Sequence, residues 1–378
     1  MREGRSATGF DEQLMRRALE LASRGEGHVE PNPMVGAVVA AAPVGGRDGQ
    51  IIAEGWHAAF GGPHAEVAAL TAAGAAARGG TLAVTLEPCC HHGKTPPCTD
   101  TIIAAGIARV IVATRDPFPA VNGDGIAALR QAGIEVQTGL CEPEARRLIA
   151  PFRTLVERKR PWLIAKWAMS LDGRVATAAG ASRWISSEAS REIVHALRGR
   201  MDGILCGIGT ALADDPLLTA RPAGPRQPLR IVLDGTARLP LESRLVRTAR
   251  ETPLLVATGP SAPADRLRQL EAAGCEIWQC LAASPQQRLE SLLAELGSRR
   301  LTNVLVEGGP TVLGSLADAQ AIDEVWAFIA PMIIGGEAAP APVGGTGITT
   351  LASAVSIEIE HVAHPGGDLL VRGVVRGT

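Results

Sequence analysis

Apolar positions recur at two periods along this chain, and their alternation sets the first expectation. Residues 11–24 carry Leu14, Ala18 and Leu21 at helical spacing, with Asp11 as the expected cap. "MVGAVVA" and "IIAEGWHA" are short apolar runs suited to strands, on either side of the turn-rich "PVGGRDGQ". "PHAEVAALTAAGAAARGG" returns to the helical period, with Pro63 in its first turn and glycines after its end. Strand "TLAVTLEP", helix "CTDTIIAAG", strand "RVIVAT", helix "GIAALRQAG" and strand "IEVQTG" follow. The helical segment "EPEARRLIAPFRTLVERKR" closes this half.

A second alternating series starts at "WLIAKWAMS" and runs through "GILCGIGT", "LRIVLDG", "PLLVATG", "CEIWQC", "NVLVEGG" and "EVWAFIAP". Helical patterns such as "SEASREIVHALRGR" and "SPQQRLESLLAELGSRR" lie between several of these strands, and "IEIEHVAHPGGDLLVRGVVR" predicts a closing hairpin. Alternation of this kind predicts α/β layers around largely parallel sheets. No fixed-period repeat relates the halves, so two different domains are expected, 11–158 and 159–378, after a flexible N-terminus at 1–10. "KRP" marks the boundary.

Length and composition agree with that picture. The 378 residues are too many for one ordinary core. At 46% hydrophobic and 20% charged, the chain reads as a soluble globular enzyme. No apolar run approaches the ~20 residues of a membrane span. The opening residues lack a signal peptide's apolar stretch, and seven cysteines, an odd number, suit reduced thiols, so a cytoplasmic location is expected. A net charge of −2 gives no electrostatic footprint for nucleic acid. Of 37 basic residues only Lys94, Lys159 and Lys166 are lysine, which singles out positions where a compact, titratable ammonium is wanted. Lys159, in "ERKRP", reads as a solvated linker charge.

"EPCCHHGKTPPC", residues 87–98, offers more metal ligands than one site needs. Cys89 and Cys90 are adjacent, and neighbours in an extended strand point to opposite faces. Cys98 opens a helix, whose N-terminus favours a thiolate. His64 in the upstream "HAE" supplies a third ligand and leaves a fourth tetrahedral position open. "HAE" with "EPC" approximates the zinc deaminase signature, in which the metal acidifies a water and the glutamate, here Glu66, shuttles its proton without binding metal. The second cysteine comes later than that signature expects. The alternative is a closed structural zinc with Cys90, His91 or His92 as fourth ligand, which gives Glu66 no task. Otherwise Cys90 is expected to be a packed small side chain.

Together "NPMVGAVV", "HAEVAAL", "TLEPCCHHGKTPPCTDTIIAAGI" and "KWAMSLDG" resemble the bifunctional riboflavin-biosynthesis deaminase–reductase family, over about residues 11–373. The resemblance implies a cytidine-deaminase-like domain followed by a dihydrofolate-reductase-like domain. It implies one zinc per chain on His64, Cys89 and Cys98, with Glu66 as proton shuttle. Asn32, His57, Lys94 and Asp116 would contact the pyrimidine and its ribose phosphate. Phe118 stands where the family usually has asparagine, which removes one polar contact.

For the second half the same resemblance implies an NADPH-dependent reductase. Gly309, Pro310, Thr311, Val312, Leu313, Gly314 and Ser315 would cradle the cofactor, with Ala168, Trp184, Thr210 and Asp214 also lining its site. Ser182, Arg198, Leu218, Arg221 and Glu307 would meet the substrate, and Lys166 would lie near the reacting sugar. Taken by themselves, Arg198 and Arg221 also read as surface arginines and Trp184 as core. "CGIGTAL" lacks the third glycine of a dinucleotide fingerprint, which argues against a standard Rossmann domain. Asp172 is expected to hold a turn, and Gly235 replaces a serine frequent in relatives.

The expected partners are small pyrimidine ribosyl phosphates, with no nucleic acid and no membrane, and the expected assembly is a dimer or tetramer. The rivals are a tRNA deaminase fused to a binding domain, a non-catalytic zinc module, and a chain in which only the reductase works. An aromatic content of 3% without tyrosine speaks against the first.

Overall fold

The Val- and Ile-rich runs form the central strands of two sheets. The computed structural model describes residues 9–43, 49–91, 96–119 and 121–376, in two compact units, 1–158 and 159–378.

In the first unit the order is α1 (Gly9–Ala22), β1 (Gly36–Ala40), β2 (Ile51–Trp56), α2 (Ala65–Ala73), β3 (Thr81–Leu86), α3 (Cys98–Ala104), β4 (Arg109–Thr114), α4 (Asp124–Gln131), β5 (Glu135–Thr138), α5 (Glu142–Leu148) and α6 (Ala150–Arg158). The sheet order is β2-β1-β3-β4-β5; β1 is antiparallel to both neighbours and β3, β4 and β5 are parallel. Each central strand feeds two cores. Val39, Leu82, Val84, Val110 and Val112 pack with Ala69, Ile102 and Leu129 on one face. Val38, Ala83 and Ile111 pack with Leu14, Ala18 and Leu21 of α1 on the other. Burial on both faces is why these strands are continuous apolar runs.

Glycine lets α2, which carries Glu66, approach the sheet. A Cβ on Gly55 of β2 would lie 2.5 Å from Ala65 O and Ala69 N.

Several local expectations change. The first helix starts at Gly9, so Asp11 lies inside its first turn and not at its N-cap position. Its buried carboxylate instead takes two bonds from Arg109, at 2.7 and 2.9 Å. Pro63 precedes α2, with His64 at the N-cap. The closing helical segment breaks at Ile149, because Pro151 has no N–H and restricts the residue before it. β3 ends at Leu86, so Cys89 and Cys90 are not in a strand and the opposite-face argument does not apply. The turn at 43–50 lies mostly outside the described residues.

The second unit contains β6 (Trp162–Ser170), α7 (Glu188–Arg198), β7 (Gly203–Gly207), α8 (Ile208–Asp214), β8 (Leu229–Leu233), α9 (Arg244–Arg247), β9 (Leu254–Thr258), α10 (Ala264–Ala272), β10 (Glu276–Gln279), α11 (Pro285–Ser298), β11 (Asn303–Val306), α12 (Pro310–Asp318), β12 (Glu324–Ala330), β13 (Ile357–Ala363) and β14 (Leu369–Val375). Its sheet order is β10-β9-β8-β7-β11-β6-β12-β14-β13, parallel from β10 through β12 and antiparallel in the closing hairpin. β6 and β11 are neighbours, so residues just beyond one meet residues along the other.

Asp323 fixes this register. Fully buried, it takes Arg160 through two bonds of 2.6 and 2.8 Å and the Leu163 N–H at 2.8 Å, tying the start of β6 to the start of β12. Asp323→Ala leaves Arg160 without its buried partner and is expected to cost about 3–5 kcal/mol. Five of the six tryptophans lie beyond residue 160, so denaturation followed by tryptophan emission reads this unit. An unchanged midpoint would show that the pair does not hold the register.

Candidate metal centre and reductase cleft

His64 sits in extended backbone at the start of α2, and Cys98 begins α3. The loop after β3 brings Cys89 to both. His64 Nδ1 is 3.2 Å from Cys98 Sγ and 3.7 Å from Cys89 Sγ, and the Cys98 N–H donates to Cys89 Sγ at 3.4 Å. The three ligand atoms lie within 4.8 Å of one another, as the one such group among the described residues. With Zn–N of about 2.0 Å and Zn–S of about 2.3 Å, the edges of a zinc tetrahedron come to about 3.5 Å. The donors therefore fit a zinc with one position left open.

The thiols' hydrogen bond, with His64 beside it, holds the Cys89 thiol low, and the same bond together with burial raises Cys98. With a divalent metal bound, both sulfurs are thiolates. Glu66, in the first turn of α2 and 3% exposed, lies beside Cys98 and is not one of the grouped ligands. Burial pushes its carboxyl up, which suits a group that alternately takes and gives a proton.

Asn32 and His57 join this centre. The His57 ring stands edge-on to His64 at 5.7 Å. Its Nδ1 donates to Pro63 O at 2.9 Å, because a carbonyl only accepts, and its Nε2 lies 3.2 Å from Asn32 Nδ2. Asp116, beyond β4, is held up at about 6 by burial, and it accepts the Phe118 N–H at 2.8 Å. The Phe118 side chain tilts against His91, with ring centroids 6.4 Å apart. Cys90 is half-buried and stands outside the ligand group. Lys94 and His92 lie outside the described residues.

In the second unit a cavity of about 1300 Å³ opens at the strand ends. Lys166, Ala168, Ser182, Trp184, Arg198, Thr210, Asp214, Leu218, Arg221, Glu307, Gly309, Pro310, Thr311, Val312 and Ser315 all line it. Leu313 and Gly314 do not. Leu313 packs in the core, and a Cβ on Gly314 would lie 2.3 Å from the backbone of Gly344 and Gly345. They shape the turn from behind.

Glu307 follows β11 and is the electrostatic centre of the cleft. Arg198 grips it through Nε and Nη2 at 2.5 and 2.9 Å, and Lys166 Nζ lies 3.9 Å away. Burial acts to raise its carboxyl, but Arg198 and Lys166 hold it at about 2. Burial also lowers the Lys166 ammonium, and Glu307 opposes that shift. Arg198 is thus no surface arginine. Trp184 is 68% exposed, which removes the core alternative, and Arg191 stacks over it at 4.4 Å. Ser182 Oγ reaches Asp214 at 3.3 Å. Asp172 holds its turn, accepting the Ile334 and Gly335 N–H groups and the Ser170 hydroxyl.

His195, in the cleft, is absent from the sequence reading. His195 donates from Nδ1 to Thr219 O at 3.2 Å and accepts Arg221 Nη2 at Nε2, also 3.2 Å. Its signal was its place three residues before Arg198 on the same helix face.

Comparison with known proteins shows the family and the two domains. A family model described as the cytidine and deoxycytidylate deaminase zinc-binding region matches residues 8–114, and one described as the RibD C-terminal domain matches residues 161–371. The riboflavin biosynthesis protein RibD of Aquifex aeolicus is 40% identical over 96% of this chain and 98% of that protein. The chain belongs to the RibD family. RibD of Actinobacillus pleuropneumoniae is 39% identical over 97% of this chain and 96% of its own length. The Acinetobacter baumannii RibD structure superposes with a TM-score of 0.83 at 34% identity, covering 97% and 98% of the two chains. A Thermotoga maritima structure, described as a diaminohydroxyphosphoribosylaminopyrimidine deaminase/5-amino-6-(5-phosphoribosylamino)uracil reductase, gives 0.80 at 37%, covering 96% and 98%. As in the rest of the family, a deaminase domain precedes a reductase domain, and the chain is a bifunctional riboflavin-biosynthesis enzyme. Among the described residues, no helix is long and apolar enough to cross a membrane.

The ligand geometry predicts how metal content responds to substitution. Cys98→Ser should lose zinc, Cys90→Ser should retain about one zinc per chain, and Glu66→Gln should also retain it. Elemental analysis of the three purified variants decides. Zinc lost from Cys90→Ser but kept by Cys98→Ser would reverse the assignment.

Proposed function

We propose that the first unit deaminates the 2-amino position of 2,5-diamino-6-ribosylamino-4(3H)-pyrimidinone 5′-phosphate. The second unit then reduces 5-amino-6-(5-phosphoribosylamino)uracil to the ribitylamino product. The observation that carries this reading is the presence in one chain of two differently built charged centres. One is a buried carboxyl beside a His/Cys/Cys triangle. The other is a half-buried Lys166–Glu307–Arg198 group in a cavity large enough for cofactor and substrate together. Bound zinc supplies an acidified water, and NADPH supplies hydride.

Glu66 takes the water proton at its carboxylate and returns it to the departing amine nitrogen. Asn32, steadied by His57, presents its amide to the pyrimidine edge, while Lys94 receives the sugar phosphate and Asp116 accepts from a ribose hydroxyl. In the cleft, the Gly309 turn ahead of α12 faces the cofactor phosphates. Glu307, kept ionised by Arg198, orients the Lys166 ammonium toward the sugar and its developing oxyanion or imine. Arg221, held by His195, faces the 5′-phosphate as a planar donor. A homo-oligomeric, cytoplasmic enzyme completes the proposal, and sedimentation of the purified protein tests the assembly.

Lys166→Arg tests the reductase assignment. Arginine keeps the charge but is bulkier and effectively never deprotonated, so it neither donates a proton nor fits beside Glu307. Single-turnover NADPH oxidation on the deaminated intermediate should fall at least about tenfold, roughly 1.4 kcal/mol of barrier. Ammonia release should not change, and NADPH affinity should move little. Near-normal reduction would mean that Lys166 acts only as a charge.

A further inference from the structure

The reductase cavity is larger than its assigned residues require. At about 1300 Å³ it exceeds the ~300–1,000 Å³ usual for a single small ligand, and it continues past the ends of β8 and β9. Leu233, Trp278 and Leu289 form an apolar wall there, and Arg238, Arg244 and Arg288 stand around it.

Arg288 is the fixed member. Its Nη1 donates to the carbonyls of Ala282 and Ala283, at 2.8 and 2.6 Å, and the side chain is half-buried. A Cβ on Gly259 would lie 3.3 Å from its Nε. Among the described residues no carboxylate pairs with it. Arg244 is partly occupied, since its backbone N–H and Nη1 go to the Asp215 carboxylate and carbonyl. Arg238 is exposed. Asp234, the acid lining this end, is fully buried and accepts the Leu239 N–H at 2.8 Å. Three guanidinium groups thus stand around one buried lining carboxylate, and Arg288 is the one held in place without a carboxylate partner.

An apolar wall with a fixed guanidinium beyond it suits an adenine ring with a phosphate at its far side. The phosphate turn follows β11, and β8 and β9 lie two and three strands away. At the ordinary spacing of about 4.8 Å that is roughly 10 and 14 Å, in the direction an adenosine would extend.

We propose that this corner holds the 2′-phosphate of NADPH, with Arg288 as anchor and Arg238 as second donor. The inference deepens the reductase reading and rests on it: Arg288 sets the preference for NADPH over NADH. NADH would bring a neutral hydroxyl to the corner and leave the Arg288 charge without a partner.

Calorimetric titration of the zinc-loaded full-length protein compares adenosine 2′,5′-bisphosphate with adenosine 5′-monophosphate, which lacks only the 2′-phosphate. The bisphosphate should bind at least about tenfold more tightly, the scale of one charge-assisted contact. Arg288→Gln should remove most of that preference while leaving monophosphate affinity within about twofold. Arg288→Lys should keep part of it, and Arg238→Gln should reduce it. An unchanged preference in both glutamine variants overturns the proposal. So does equal loss of both nucleotides in Arg288→Gln, which would make the arginine merely structural. If wild type binds neither NADPH nor the bisphosphate, the reductase reading itself fails.

Discussion

Burying a charge at the end of an apolar strand is costly unless a partner meets it there, and both units are organised around that constraint. Glu87, at the end of β3, accepts the N–H groups of Asp116, Gly123 and Ile126. One carboxylate thereby ties the metal loop to the end of β4 and the start of α4. Glu307 does the same work after β11, and its partners, Lys166 and Arg198, are themselves part of the cleft. Asp323 secures the far end of β6, the strand that carries Lys166. The reactive groups are therefore placed by the same interactions that make their burial possible.

The two centres solve opposite problems. Hydrolytic deamination requires a water held beside a group that accepts and returns its proton, which matches a raised, buried Glu66 next to the ligand triangle. In the reductase reading proposed above, the cleft needs a carboxylate that stays ionised and an ammonium that remains near it. The Arg198 grip supplies the first condition and Glu307 itself the second. A single centre tuned to one of these tasks would be mistuned for the other, which gives a physical reason for two units in one chain.

Much of this was legible in the sequence because its signals are local. The strand runs at 36–40, 82–84 and 110–113 are apolar at every position, and the ligand residues fall within short motifs. What stayed hidden depends on tertiary neighbours. Asp11 looks like a cap until Arg109, 98 residues away, claims it. Leu313 and Gly314 sit in the same turn as true cavity residues, and only packing separates their directions. Trp184 is an apolar residue at the surface, stacked by Arg191, and composition alone cannot distinguish it from core. His195 acquires a role only when the loop at 219–221 folds back on it.

The central claim is that one chain carries two independent chemistries, only the first of which needs metal. The direct measurement is zinc removal from the intact wild-type protein. Ammonia release from the diaminopyrimidinone phosphate and NADPH oxidation on the deaminated intermediate are then followed separately. Ammonia release should stop and return when zinc is restored, while NADPH oxidation proceeds at its original rate throughout. Loss of both activities together, or of neither, would contradict the assignment of the metal centre to deamination and the Lys166–Glu307 cleft to reduction.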